Sequence, residues 1–280
     1  MDNVIFFYRE PFLTYKGLAA IGIVSGFLCG SLLCLRFRAG WRDWLKLALI
    51  AVLGGGAGVL LMKLFGMASR ALYQAALGEP YSFAKLLGTK GYVFYGGMLG
   101  YYGVIAVLLP RLLPRRRRLG WDILAVSFTL FHGFARLGCY CGTAVEDGFL
   151  VWRPCCYGVK LNNAFCAHFW DGRLPTQLIE SAFEFLLFAV MLSLLLRGGG
   201  KWRGRMPGLY LVAYPVFRYV VEFFRGDTVR GAIGPFSFSQ LISLLILLGV
   251  LLVSVLRGKG VLSTPPADPP PEPPVTPDEN

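Results

Sequence analysis

Four stretches of this 280-residue chain set charged or phenolic side chains among apolar neighbours. The first, LYLVAYPVFRYVVEFFRGD, runs from Leu209 to Asp227. On a helix, its Tyr214, Arg218, Glu222 and Arg225 fall within about 80° of one another and form one polar stripe. A segment apolar enough to enter a bilayer keeps such groups when they bind or react with something. Guanidinium forks suit phosphate oxygens, so the stripe, with Arg230 just beyond it, fits a lipid phosphate. Arg218 and Glu222 are four residues apart and would also neutralise each other against a neighbouring helix, and that plainer reading stays open.

The second stretch, FHGFARLGCYCG, spaces His132 and Arg136 four apart, so both share a helix face. His132 reads equally as a packing histidine held by a backbone carbonyl; Arg136 is harder to dismiss, although snorkelling to the outer interface would accommodate it. In RLPTQLIESAFEF, Pro175 fits a helix start, and Gln177, Glu180 and Glu184 occupy one face. Two carboxylates inside a membrane call for cationic partners or raised pKa values, and the arginines above are available as partners. In YVFYGGMLGYYG, Tyr95 offers a phenol, and Gly96 and Gly97 let a backbone come close. Packing of helices through small residues explains those glycines as well.

Seven cysteines leave their chemistry open. Cys29 and Cys34 fall in an apolar run and read as packing residues. Cys139, Cys141, Cys155, Cys156 and Cys166 cluster with His168, compatible with disulfides, a zinc site or free thiols. Their spacing matches no standard zinc pattern, so no metal is assigned.

The elements that must position these groups are membrane spans. Hydrophobic residues make up 55% of the chain and charged ones 16%, with a mean hydropathy of +0.57, which points to an integral membrane protein. The net charge of +12 sits in short clusters between apolar runs, where it orients spans, and nucleic acid is not an expected partner. About seven segments approach the roughly 20 residues a crossing needs: 14–35, 44–67, 92–109, 120–138, 177–196, 207–224 and 236–256. The third is short and glycine-rich and reads as a re-entrant or broken element. The first lacks the cationic start and cleavage site of a removable signal peptide. Arginine and lysine are enriched in every second connection, at Arg36 to Lys46, Arg111 to Arg118, Arg197 to Arg205 and Arg257 to Lys259. The positive-inside rule then puts the N-terminus outside and the C-terminus in the cytoplasm. The expectation is an all-α multi-pass membrane domain over 1–262, with a polar outer loop at about 139–176. A proline-rich, acidic tail over 263–280 reads as disordered and cytoplasmic.

Four of these motifs, in this order from Tyr92 to Arg230, resemble the bacterial prolipoprotein diacylglyceryl transferases. YGGMLG is similar to the family's His-Gly-Gly segment and ARLGCYCG to its Gly-Arg-Ile-Gly-Asn signature. LPTQLIE is similar to its His-Pro-Thr-Gln-Leu-Tyr-Glu segment, and YLVAYPVFRYVVEFFRGD to its last motif helix. The resemblance implies transfer of diacylglyceryl from phosphatidylglycerol to the lipobox cysteine of a prolipoprotein, without cofactor or metal, at the outer face of the bacterial inner membrane. It implies catalytic roles for Arg136, Tyr214, Arg218, Glu180 and Tyr95. Substrate contacts are expected from Arg136, Arg218, Gly96, Gly97, Gly138, Gln177, Glu222 and Arg225. It says nothing of oligomeric state.

Three positions depart from the family pattern: Tyr95 and Leu174 stand where the family has histidines, and Cys139 where it has asparagine. A phenol is a poor base at neutral pH, and His132 is the other candidate for that role on its own chemistry. The departures motivate an alternative, a divergent paralogue that binds phospholipid without the transfer chemistry. The outer cysteines motivate another, a non-enzymatic redox sensor.

Overall fold

The computed structural model describes residues 15–76, 78, 93–141, 143–146, 149–152, 156–169, 172–226, 232–233, 236–259 and 261. Cys155, Arg230 and the 263–280 tail lie outside the described residues. Each apolar run forms a helix: α1 (Tyr15–Arg36), α2 (Trp41–Ala76), α3 (Phe94–Leu112), α4 (Arg117–Tyr140), α5 (Thr176–Arg197), α6 (Met206–Glu222) and α7 (Phe238–Gly258). Five of them, α1, α2, α4, α5 and α7, are long and apolar enough on their own to cross a membrane.

The arrangement is inverted relative to a water-soluble protein. Exposed positions on α1, α2 and α7 carry Ile23, Leu28, Val52, Leu60, Leu245 and Leu251, as lipid contact requires. The interior holds Asp122, His132, Arg136, Glu180, Glu184 and Arg218. Among the described residues, α4 is central, packing against α1 on one side and α5 on another, while α2 runs along α3 and α6 along α7.

Bare backbone makes two of these seams. A Cβ on Gly26 would lie 2.9 Å from the Ser127 carbonyl oxygen, so α1 meets α4 without side chains between them. On α3, a Cβ at Gly100 would lie 2.6 Å from the Ala57 carbonyl oxygen of α2. α3 is one continuous helix over Phe94–Leu112, not a broken one, and its glycines join it to α2. α2 itself spans 36 residues, about 54 Å at 1.5 Å per residue, more than a bilayer core needs.

The all-α expectation holds for the spans, and the connections add two short hairpins. β1 (Thr143–Glu146) pairs antiparallel with β2 (Phe149–Trp152), and β3 (Ala232–Ile233) with β4 (Phe236–Ser237). Loops that satisfy their backbone groups this way can sit close to a polar site. α4 also runs on to Tyr140, which makes Cys139 helical.

Two caps fix the helices that carry the polar stripe. Buried Asp122 accepts hydrogen bonds from the Gly204 amide at 2.6 Å and the Met206 amide at 3.1 Å, so α4 holds the start of α6. At the other end of the pair, Ser237 and Gln240 form a capping box that starts α7.

Candidate active site

α4, α5 and α6 turn their ionisable residues toward one another. Arg136 comes from α4, Glu180 and Glu184 from α5, Arg218 and Glu222 from α6, and Arg225 from just after α6. Glu180 stands at the centre. Its Oε2 is 2.9 Å from Arg136 Nε, and its Oε1 is 3.6 Å from Arg218 Nη1 and 3.8 Å from Arg225 Nη1. One carboxylate thus serves three guanidinium groups.

Arg218 is held from two further sides, by Glu222 Oε2 at 2.6 Å and by Ser239 of α7, whose Oγ accepts from Nη2 at 3.4 Å. The local Arg218–Glu222 pairing therefore exists, but as one part of a larger network. Arg225 reaches Glu222 at 3.9 Å, and its guanidinium lies 5.2 Å from the Tyr157 ring centre. Opposite charges alternate through the cluster, as burial demands.

Aromatic side chains form the lower wall. Tyr214 accepts a 3.0 Å hydrogen bond from Arg136 Nη2. Tyr95 hydrogen-bonds Ser243 of α7, and its ring centre is 5.9 Å from that of Tyr214. Phe94 stacks on His132 with ring centres 3.7 Å apart and lies 5.2 Å from the Arg136 guanidinium.

The segment at 157–159 ties the start of α5 to the end of α6 beside the cluster. The Gly158 amide donates to Leu174 O at 3.0 Å, and the Val159 amide to Phe224 O at 2.9 Å. Gly226 N donates to Tyr157 O at 2.9 Å, so residues 157–159 run between the entrance to α5 and the exit of α6. Gln177 serves this seam, its Oε1 accepting from the Tyr157 amide at 3.1 Å.

The structure thus brings together Tyr95, Arg136, Glu180, Tyr214, Arg218, Glu222 and Arg225, with Gln177 bracing the loop above. It does not bring the glycines with them. A side chain at Gly96 would strike the Leu61 backbone of α2, one at Gly97 would meet Met62 at 2.7 Å, and one at Gly138 would meet Tyr15 of α1 at 3.2 Å. Gly96, Gly97 and Gly138 each let a neighbouring helix come close. His132 is held by side chains rather than by a carbonyl: Arg136 Nε donates to its Nε2 at 3.2 Å, and Tyr210 OH lies 3.0 Å from its Nδ1.

Reading from sequence missed Tyr210, Ser239 and Ser243. Tyr210 lies one turn before Tyr214 and was visible by extending the stripe. The serines, four apart on a mostly apolar α7, gave no signal. None of Cys29, Cys34, Cys139, Cys141, Cys156 and Cys166 is in a disulfide. Among the described residues, no group of three or more metal-binding side chains is assembled.

A family model for prolipoprotein diacylglyceryl transferase matches residues 6–256. The chain belongs to the prolipoprotein diacylglyceryl transferase family. The phosphatidylglycerol-prolipoprotein diacylglyceryl transferase 2 of Clostridium perfringens (strain 13 / Type A) is 29% identical over 248 residues, covering 84% of this chain and 89% of that protein. The enzyme so named from Clostridioides difficile (strain 630) is 25% identical over 264 residues, 92% and 96% of the two chains. That from Erwinia tasmaniensis is 39% identical over 180 residues, 58% of this chain and 61% of its own. The diacylglyceryl transferase match takes in all the helices that build the cluster.

Proposed function

We propose that the chain transfers the diacylglyceryl group of phosphatidylglycerol to the lipobox cysteine of a prolipoprotein, forming a thioether and releasing glycerol phosphate. The observation that carries this reading is the single Glu180 carboxylate shared by Arg136, Arg218 and Arg225. An anion already sits where three buried guanidinium groups converge, and a phosphodiester that enters can take its place in those ion pairs. The cysteine thiolate attacks the glyceryl carbon in line with the C–O bond to phosphate. The S–C bond forms, the C–O bond breaks, and its electron pair stays on the phosphate oxygen. Arg136 and Arg218 stabilise the charge that builds there, and Tyr214 holds Arg136 from beneath.

Family membership and the apolar helices support a multi-pass protein of the bacterial inner membrane. On the positive-inside count it has seven spans, its N-terminus outside and its site toward the outer face.

A second reading keeps lipid binding without transfer, and one observation favours it: Tyr95, in the family histidine's place, has its hydroxyl engaged by Ser243. Purified protein, phosphatidylglycerol and a lipobox peptide, followed by mass spectrometry, separate the two. Transfer adds a diacylglyceryl mass to the cysteine peptide and none to its serine counterpart, and Arg218→Ala abolishes it in folded protein. An unmodified peptide, under conditions where a family member works, selects the second reading.

A further inference from the structure

His132 is a buried imidazole at the edge of the cluster with a defined partner on each nitrogen. Arg136 Nε, which can only donate, points at Nε2 from 3.2 Å, so that nitrogen carries the lone pair. The ring proton therefore sits on Nδ1, facing the Tyr210 hydroxyl at 3.0 Å and Glu184 Oε1 at 2.9 Å. The Tyr210 oxygen is the better aligned of the two acceptors, and the Glu184 carboxylate supplies negative charge beside the N–H. Phe94 covers the ring face, stacked within 5° of parallel, which fixes the direction of the lone pair.

We infer that His132 is a positioning residue, which, together with Glu180, locks the Nε edge of Arg136 so that the Nη edge of the guanidinium is presented to the phosphate. The inference deepens the transferase reading and rests on it for its kinetic arm. Nε donates to His132 Nε2 and lies 2.9 Å from Glu180 Oε2 in an ion pair, two partners on different helices. When phosphate draws Glu180's other arginines away, His132 still holds Arg136 from its own helix, four residues below. Tyr210 and Glu184 act one step further back by keeping the proton on Nδ1. The same contact argues against His132 as the base for the thiol, because its one lone pair is already engaged.

Two substitutions distinguish these roles. Glutamine places an amide oxygen where Nε2 lies but takes no proton at neutral pH, whereas leucine fills the space and accepts nothing. His132→Gln should keep kcat within a few-fold of the unaltered protein. His132→Leu should lower kcat by about 100-fold, with a smaller change in KM, as expected for a misplaced group that matters most as charge develops. The chain has only two histidines, so His168→Asn leaves His132 as the sole source of imidazole nitrogen signals. Those signals from labelled protein should report the Nδ1–H tautomer. Three outcomes overturn the inference: His132→Gln as slow as His132→Leu, His132→Leu at full rate, or an Nε2–H tautomer. If the unaltered protein gives no product from phosphatidylglycerol and lipobox peptide, the transferase reading fails, and the tautomer still decides the contact.

Discussion

At the scale of residues, the network is balanced by one side chain. Glu180 neutralises guanidinium groups from α4, α6 and the segment after α6, so its removal leaves buried like charges facing one another. Glu180→Ala should destabilise the protein by about 3–5 kcal/mol, the usual result of breaking a buried ion pair from one side. Reversible denaturation in detergent measures this, and a loss no larger than that of a surface substitution would contradict the central place given to Glu180. Most of the cluster was legible in the sequence, because an intramembrane charge has few reasons to exist and the i,i+4 spacing tells which charges share a face. What was not legible was the partner across a helix boundary. Nothing in the sequence pairs Arg218 with Ser239 or Tyr95 with Ser243, since those contacts depend on how α7 is rotated.

At the scale of elements, the helices were legible because each apolar run long enough for a bilayer became one. The ambiguous element was α3. Glycine serves a helix seam and a broken helix for the same reason, the lack of a side chain, so sequence alone left both open. The structure decides by showing what each missing Cβ would touch. Gly100→Ala should push α3 from the α2 backbone and destabilise the fold by about 1–3 kcal/mol, without direct damage to the charged cluster. A lowered unfolding midpoint with unchanged KM in the surviving folded fraction is the expected pair of results. An unaltered midpoint would mean that the seam is looser than the 2.6 Å approach implies. The hairpins were not read either, because strands of two to four residues carry too little alternation to stand out from a loop.

At the scale of the whole molecule, the proposed orientation rests on the basic clusters on alternate connections. Alkaline phosphatase fused at Lys160 should be active in cells, and a fluorescent protein fused after Lys259 should fold in the cytoplasm. Inactivity of the first with fluorescence of the second would leave an even number of crossings between the two points and break the seven-span frame. α6 has a further consequence. Its 17 residues rise only about 26 Å, a few ångströms short of an average hydrocarbon core. The deficit can be met by thinning the leaflet around its polar end, which carries Arg218 and Glu222. A phospholipid there could bring its headgroup down to the arginines while both acyl tails remain among their neighbours, and the product could leave sideways by the same path. The reaction would then need no lipid lifted from the bilayer, and its rate would depend on the thickness of the membrane that surrounds it.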